Sequence, residues 1–253
     1  MEYYRSNAVY DAILNSNQRD DFTWAAENAW ILVYGTAEAA PLLIALVFGM
    51  SSGRNQVLFD TVRTLSRITN TPGIAIEFDD TETEISTVQL WKSIHDSTIV
   101  TATLEDLKRH FQTLGLAVSS TPIGKAINDK SSSAYHNWQR SSLGGSITVS
   151  DLDLIRLGPN EFIEVLELKR SFYPVESWQP YRDDFRNFQL ISNLLNGTGI
   201  RFHIAYNQRV KTPYKDDASR ISVFEFRNGQ PPTTLKLGIY TIIEFLSGEH
   251  LPE

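Results

Sequence analysis

Apolar residues recur at helical spacing in several parts of the chain, and this spacing predicts amphipathic helices. The predicted helices cover residues 56–69, the stretch marked by Leu104, Leu107, Phe111 and Leu114, and residues 134–140, 178–195 and 240–246. Thr71-Pro72-Gly73 ends the first of them, and Asn196-Gly197 caps the long helix over 178–195.

Shorter apolar or alternating stretches predict strands between these helices. They cover residues 74–78, 84–91, 147–157, 161–169, 200–206 and 221–226, with a turn at Gly158-Pro159-Asn160. The second half then has the order helix, β-hairpin, helix, strand. This order predicts an α/β fold with a mixed sheet.

Small and polar residues are concentrated in the segment 119–133, which predicts a linker or a long loop. It would separate an N-terminal α/β region of unknown role, residues 1–120, from a second domain, residues 130–253. One continuous domain is the alternative.

Charge is distributed unevenly along the chain, whose formal net charge is −7. Residues 1–120 carry 8 Lys or Arg and 15 Asp or Glu, whereas residues 169–227 carry 10 and 6 and are the only basic segment. A local cationic surface on an acidic protein is therefore expected. Lys169, Arg170, Arg201, Arg209, Lys211, Lys215 and Arg220 are its candidates for contacts with a nucleic-acid backbone.

The chain has no cysteine, which excludes disulfides, thiolate metal ligands and a cysteine nucleophile. The longest apolar stretch, residues 39–50, is interrupted by Pro41 and is shorter than the roughly 20 residues that span a membrane. No secretory signal is recognisable. We expect a soluble cytoplasmic protein without a membrane partner.

The predicted hairpin brings charged side chains to one face, because residues two apart on a strand share a face. Asp151 and Asp153 lie on the first strand, and Glu167 and Lys169 on the second. A three-residue connection, 158–160, would place Asp151 opposite Glu167, whereas five residues would place Asp153 there. Either register lets two carboxylates converge.

Converging carboxylates repel one another unless a cation lies between them. Oxygen ligands suit Mg²⁺, with Mn²⁺ as the alternative. The neighbouring Lys169 adds a fixed positive charge, and together these groups form a site for a phosphodiester.

The stretch SDLDLIRLGPNEFIEVLELKRS, residues 150–171, resembles the PD-(D/E)XK, or restriction-endonuclease-like, nuclease superfamily. Asp153 matches the motif's Asp, and Glu167-Leu168-Lys169 matches Glu-X-Lys 14 residues later. Ser150 and Asp151 stand where the motif has Pro, and the upstream helical Glu of many members has no match.

The resemblance covers residues 130–210 and implies a central mixed sheet flanked by helices. It also implies that Asp153, Glu167 and the Leu168 carbonyl bind Mg²⁺, and that Lys169 is the catalytic lysine.

Five further residues are candidates for contacts with the substrate. Arg182, Arg186 and Gln189, with Asn193, form a polar stripe on the helix after the Glu-X-Lys strand, and a solvated helix face is the alternative. His136 and Arg140, four residues apart, precede the first strand of the hairpin. The neighbouring Tyr135 and Trp138 are expected in the core. No two histidines have zinc-ligand spacing, and His203 is expected in the core as well.

These features predict a Mg²⁺-dependent nuclease that hydrolyses DNA with a metal-activated water. An RNA nuclease and a catalytically inactive binding or scaffold protein of the same fold are the alternatives. Homodimerisation, or a protein partner bound by the N-terminal region, is left open.

Overall fold

The computed structural model describes residues 7–119, 133–158 and 161–251. Within these ranges the chain is an α/β protein with two mixed six-stranded sheets and six α-helices. None of the helices there has the length and apolar character needed to cross a membrane.

The N-terminal sheet is formed by β2 (Ala29–Thr36), β3 (Pro41–Gly49), β4 (Gly73–Phe78), β5 (Thr87–Trp91), β6 (Val100–Thr103) and β7 (Ile147–Asp151). Their spatial order is β6-β5-β4-β3-β2-β7, and only β3 and β4 are parallel. β7 follows the predicted linker, yet it pairs with β2, which precedes that linker. The linker itself, apart from Ser119 and Ser133, lies outside the described residues.

The C-terminal sheet is formed by β1 (Phe22–Thr23), β8 (Leu154–Leu157), β9 (Phe162–Ser171), β10 (Arg201–Lys211), β11 (Tyr214–Arg227) and β12 (Thr233–Thr241), in this spatial order. β8 and β9 form an antiparallel hairpin. β9 and β10 are parallel, because α5 (Phe185–Leu194) carries the chain back to the start of the sheet between them.

The other helices are α1 (Ala8–Leu14), α2 (Gln56–Thr69), α3 (Leu104–Thr113), α4 (Ala134–Ser142) and α6 (Ile242–Ser247). α2 has the predicted bounds for local reasons. The Asn55 side chain caps its first turn by accepting from the amides of Val57 and Leu58, and Asn70 ends it in the left-handed conformation.

Three hydrophobic clusters define the layers. The central cluster joins the facing sides of the two sheets with α2 and α5. The outer side of the N-terminal sheet packs against α3 and α4, where Tyr135 and Trp138 are buried as predicted. The outer side of the C-terminal sheet packs against α1 and α6.

Two predicted elements need correction. Residues 147–157 are not one strand, because β7 ends at Asp151 and β8 begins at Leu154 in the other sheet. The buried Leu152 marks the crossing, where its amide donates to the Ile31 carbonyl at 2.9 Å. The helix predicted over 178–195 begins only with a 3₁₀ turn at Arg182–Asp184 and continues as α5.

Candidate active site

The hairpin register decides which carboxylates can meet. Leu154 pairs with Leu166 and Ile155 with Val165, so Asp153, just before β8, lies beside Glu167. This is the register expected for a five-residue connection. The structure reaches it with a register shift between Arg156 and Leu157, where Leu157 pairs with Phe162.

Alternation along β9 directs Glu167 and Lys169 to the side of the sheet that carries α5. Val165, on the same side, belongs to the central cluster, and the Lys169 Nζ lies 5.6 Å from the ring centroid of Phe188 in α5. Glu167 is 5% exposed and accepts from Lys169 at 2.8 Å. The pair is thus held at the border between the central core and solvent.

Two hydrogen bonds hold Asp153, one to its carboxylate and one to its backbone carbonyl. Its Oδ2 accepts from the Leu168 amide at 2.7 Å, and its carbonyl accepts from the Tyr10 hydroxyl at 2.9 Å. The first bond fixes the carboxyl group against the Glu-X-Lys segment. Asp153 and the matched Glu167 are therefore brought together across the hairpin.

Burial and like charge both oppose ionisation here. Burial, the Glu167 carboxylate and the Asp151 carboxylate raise the pKa of Asp153 well above its usual value. Burial also raises the pKa of Glu167, although the Lys169 ammonium partly offsets this rise. Burial would lower the pKa of Lys169, but the carboxylates of Glu167 and Asp184 outweigh it and raise that pKa. Lys169 is consequently protonated at neutral pH.

One oxygen of this cluster lacks a partner. Glu167 Oε2 is buried and accepts no hydrogen bond from any residue that the structure describes, whereas Oε1 accepts from Lys169. A buried carboxylate oxygen without a donor is costly, and a cation would relieve both this defect and the repulsion from Asp153. The carboxylate oxygens of Asp153 and Glu167 are ligands that suit a hard divalent ion.

The site contains two residues that the sequence did not single out. The Asp184 carboxylate lies 3.6 Å from Lys169 Nζ, at the end of the 3₁₀ turn before α5. Tyr10 comes from α1, and its phenol pKa is raised well above normal by burial and then by Asp153, Asp151 and Glu167. Neither has a signal in the sequence, because only the fold brings them to the hairpin.

The polar stripe on α5 is engaged within the protein. Arg186 donates to the Ala37 carbonyl through Nε at 2.6 Å, and Asn193 donates to the Ala39 carbonyl at 2.8 Å. Gln189 donates to Asn228 at 3.3 Å. These contacts fasten α5 to the turn between β2 and β3 and to the end of β11. Arg182, in the turn beside Asp184, is exposed.

His136 and Arg140 lie on α4, which packs on the outer side of the N-terminal sheet. His136 packs edge-on against Trp30, with ring centroids 4.6 Å apart. One terminal nitrogen of Arg140 is buried and has no hydrogen-bond partner among the described residues. α4 therefore lies on the opposite side of the N-terminal sheet from α5, so the structure does not bring His136 and Arg140 together with Glu167 and Lys169.

A second buried polar cluster lies on the outer side of β9. Glu164 Oε1 accepts from His203 Nδ1 at 2.5 Å and from His250 Nε2 at 2.9 Å, and its Oε2 accepts from Arg156 Nε at 3.1 Å. The terminal nitrogens of Arg156 donate to the carbonyls of Leu246 and Phe245. His203 is buried, as predicted, but the sequence did not predict its partners.

Glu164, His203 and His250 are the one group of three possible side-chain metal ligands within the described ranges. Arg156, however, already balances the Glu164 charge, so a divalent ion would add two uncompensated charges to a buried site. We interpret the cluster as a hydrogen-bonded clamp that fixes the C-terminal segment to the sheet. The candidate cation site is therefore the one at Asp153 and Glu167. These two side chains alone do not fill the coordination shell of an ion, and backbone and water oxygens would supply its other ligands, as is common for Mg²⁺.

No protein-family model matches the chain, and no curated protein matches it. Among solved structures, the crystal structure of sex pheromone staph-cAM373 precursor is similar at 7% identity, covering 94% of this chain and 99% of that chain, with a TM-score of 0.16. A similarity this weak carries no argument about fold or function.

Proposed function

We propose that this protein is a Mg²⁺-dependent nuclease with a PD-(D/E)XK-type active site that hydrolyses phosphodiester bonds in DNA. The observation that carries the proposal is the unpartnered, buried Oε2 of Glu167 beside Asp153, whose pKa is raised by burial and by Glu167 itself. Two carboxylates in this state form a cation site, and a protonated lysine adjoins it.

The order of elements supports the same proposal. The motif's Asp precedes β8, Glu-X-Lys lies on the antiparallel β9, and α5 leads to the parallel β10. A restriction-endonuclease-like core, as the sequence resemblance implies it, has a mixed sheet of this kind flanked by helices. The proposal therefore includes that core within residues 130–210, the range of the resemblance, with β8, β9, α5 and β10 as its elements.

In this proposal Asp153, Glu167 and the Leu168 carbonyl hold the metal ion. The ion would supply Lewis acidity and a water molecule of lowered pKa. Lys169 donates to the phosphate oxygens, where negative charge develops in the transition state. Asp184 is a positioning residue, because its carboxylate helps to hold the Lys169 ammonium over the Phe188 ring.

The direct test is cleavage of a supercoiled plasmid and of labelled RNA, each with Mg²⁺ and with excess chelator. We expect nicked or linear plasmid only with Mg²⁺. Cleavage of RNA alone would assign an RNA nuclease. No cleavage of either substrate with Mg²⁺ or Mn²⁺ would favour the catalytically inactive binding protein.

Thermal unfolding gives a test without a substrate. A carboxyl whose folded-state pKa is raised costs stability progressively as pH rises above the unfolded-state pKa, and the cost is complete above the folded-state pKa. We therefore expect Asp153→Asn to raise the Tm at neutral pH without metal, since Asn can still accept from the Leu168 amide. In wild type, Mg²⁺ at 100 times its Kd should stabilise by about 2.7 kcal/mol, and about 2–4 °C of Tm corresponds to each kcal/mol.

Asp153→Asn should lose this response to Mg²⁺. Asp96→Asn is the matched control, because Asp96 is exposed between β5 and β6 of the other sheet and should leave the response intact. A lower Tm for Asp153→Asn, or an unchanged response to Mg²⁺, would contradict the proposed cation site.

A further inference from the structure

Among the described residues, the exposed aromatic side chains are concentrated in one segment of the chain. Within the described ranges, every Phe, Tyr or Trp classed as exposed falls between positions 172 and 214: Phe172 (43%), Tyr173 (59%), Tyr181 (48%) and Tyr214 (51%). Single exposed apolar residues are ordinary, whereas a group of them indicates an interaction surface. We call these four residues the aromatic rim.

Two members of the aromatic rim adjoin the candidate active site. Tyr181 precedes the 3₁₀ turn whose Asp184 contacts Lys169. Tyr173 lies four positions beyond Lys169, and its carbonyl accepts from the Tyr206 hydroxyl at 2.6 Å. Tyr206 pairs with Lys169 across β9 and β10, so it links the rim to the catalytic strand.

Buried, stacked aromatic rings support these two residues. Trp178 stacks on Tyr206 with ring centroids 4.1 Å apart and planes 4° apart, and both residues are buried. Tyr181 packs edge-on against Trp178 at 6.0 Å. A fixed support of this kind presents the exposed ring at little entropic cost on binding.

The outer members, Phe172 and Tyr214, lie next to one lysine. Phe172 and Tyr214 meet edge to face at 6.4 Å, and the Lys211 Nζ lies 5.0 Å from the Phe172 ring centroid. The segment 169–227 that carries the whole rim is also the one basic segment of the chain, with 10 Lys or Arg against 6 Asp or Glu. Aromatic rings interleaved with cations match a strand of nucleotides, whose bases stack while its phosphates attract the cations.

We propose that the aromatic rim binds unpaired nucleotides of single-stranded DNA beside the scissile phosphate. A duplex keeps its bases stacked inside, so exposed tyrosines gain little from it, whereas every unpaired base offers a face to stack on. The inference rests on the proposed nuclease function for its place in catalysis. It names the substrate of that site as a single strand or a duplex with an unpaired end.

The test is fluorescence anisotropy with labelled oligo(dT), a hairpin duplex and oligo(U), in chelator, so that no cleavage occurs. We expect wild type to bind oligo(dT) more tightly than the duplex. Tyr173→Ala and Tyr181→Ala should each weaken oligo(dT) binding by about 10-fold, the effect typical of losing one stacked base. Tyr181→Phe, which keeps the ring, should retain most of the affinity.

Ile243→Ala is the control, because Ile243 is 75% exposed and lies in α6 on the other side of the sheet. Equal binding by wild type and the two alanine variants would overturn the proposal, as would equal affinity for the duplex. Tighter binding of oligo(U) than of oligo(dT) would overturn the choice of DNA. A failure to bind any of the three probes would leave the rim as a surface for a protein partner, which also contradicts the proposal.

The experiments distinguish a failure of the aromatic-rim proposal from a failure of the nuclease proposal. Loss of binding in the alanine variants, together with absence of cleavage by wild type, would retain the aromatic rim and reject the enzyme. Cleavage by wild type with unchanged binding in the variants would retain the enzyme and reject the aromatic rim as the DNA-binding surface.

Discussion

Glu167→Gln should lower the rate of Mg²⁺-dependent plasmid cleavage by about two to three orders of magnitude, an effect comparable with losing one group that stabilises the transition state. The substitution replaces a buried carboxylate by a neutral amide of the same shape. It removes the negative charge that would bind the cation and leaves the Lys169 ammonium with Asp184 as its remaining close carboxylate. The measurement is the initial rate of nicking at saturating Mg²⁺.

Glu161→Gln is the matched control for that experiment. Glu161 precedes the same strand, β9, and is exposed, so the variant changes net charge equally but leaves the site intact. We expect its rate to be within about 2-fold of wild type, since surface substitutions away from a site have small effects. Equal rates for wild type, Glu167→Gln and Lys169→Ala would reject the proposed active site and point to a contaminating nuclease.

Glu164→Gln should produce the largest loss of stability, about 3–5 kcal/mol in the free energy of unfolding. Glu164 is fully buried and accepts hydrogen bonds from Arg156, His203 and His250. The amide would leave the Arg156 guanidinium buried without a counter-charge and would turn one acceptor into a donor facing other donors. Urea unfolding followed by circular dichroism measures the change.

Glu176→Gln supplies the comparison for the buried clamp. Glu176 pairs with Arg220 at the surface, where both side chains are about half exposed. Water screens an exposed pair of this kind, so this variant should lose far less stability than Glu164→Gln. Similar losses for Glu164→Gln and Glu176→Gln would contradict the clamp. A loss of stability in chelator that persists in Asp153→Asn would indicate that the Glu164 cluster holds a metal ion instead.

The clamp also predicts a pH dependence. Burial opposes the Glu164 charge, but hydrogen bonds from His203 and His250 outweigh it and lower the pKa of Glu164 from 4.5 to about 2. A lowered folded-state pKa gives stability that is complete above the unfolded value and is lost as pH falls through the folded value. The difference in unfolding free energy between wild type and Glu164→Gln should therefore narrow between pH 4.5 and pH 2.

Local patterns in the sequence were sufficient for several elements. The helix over Gln56–Thr69 was predicted with its observed bounds, because its apolar spacing lies within the segment and the break at Thr71-Pro72-Gly73 follows it directly. Alternation along β9 likewise placed Glu167 and Lys169 on one side of a strand, since the period of two is a property of the extended backbone. Both statements need no knowledge of the rest of the chain.

Other features depended on which strands pair. Residues 147–157 read as one strand, yet the chain leaves the N-terminal sheet after Asp151 and enters the C-terminal sheet at Leu154. Alternation continues through both parts, so nothing local marks the crossing. The Leu152 amide bonds to Ile31, and a partner more than a hundred positions away is invisible to a local pattern.

The sequence by itself determined that Asp153, Glu167 and Lys169 lie on a hairpin, and it left the register open between two alternatives. Tertiary structure decided that Asp153 is the neighbour of Glu167, and it brought Tyr10 and Asp184 to them. It also gathered Glu164 of β9, His203 of β10 and His250, which follows α6, into one buried clamp. The reason is that backbone periodicity sets only the face of a side chain, whereas strand pairing and the packing of layers decide what that face meets.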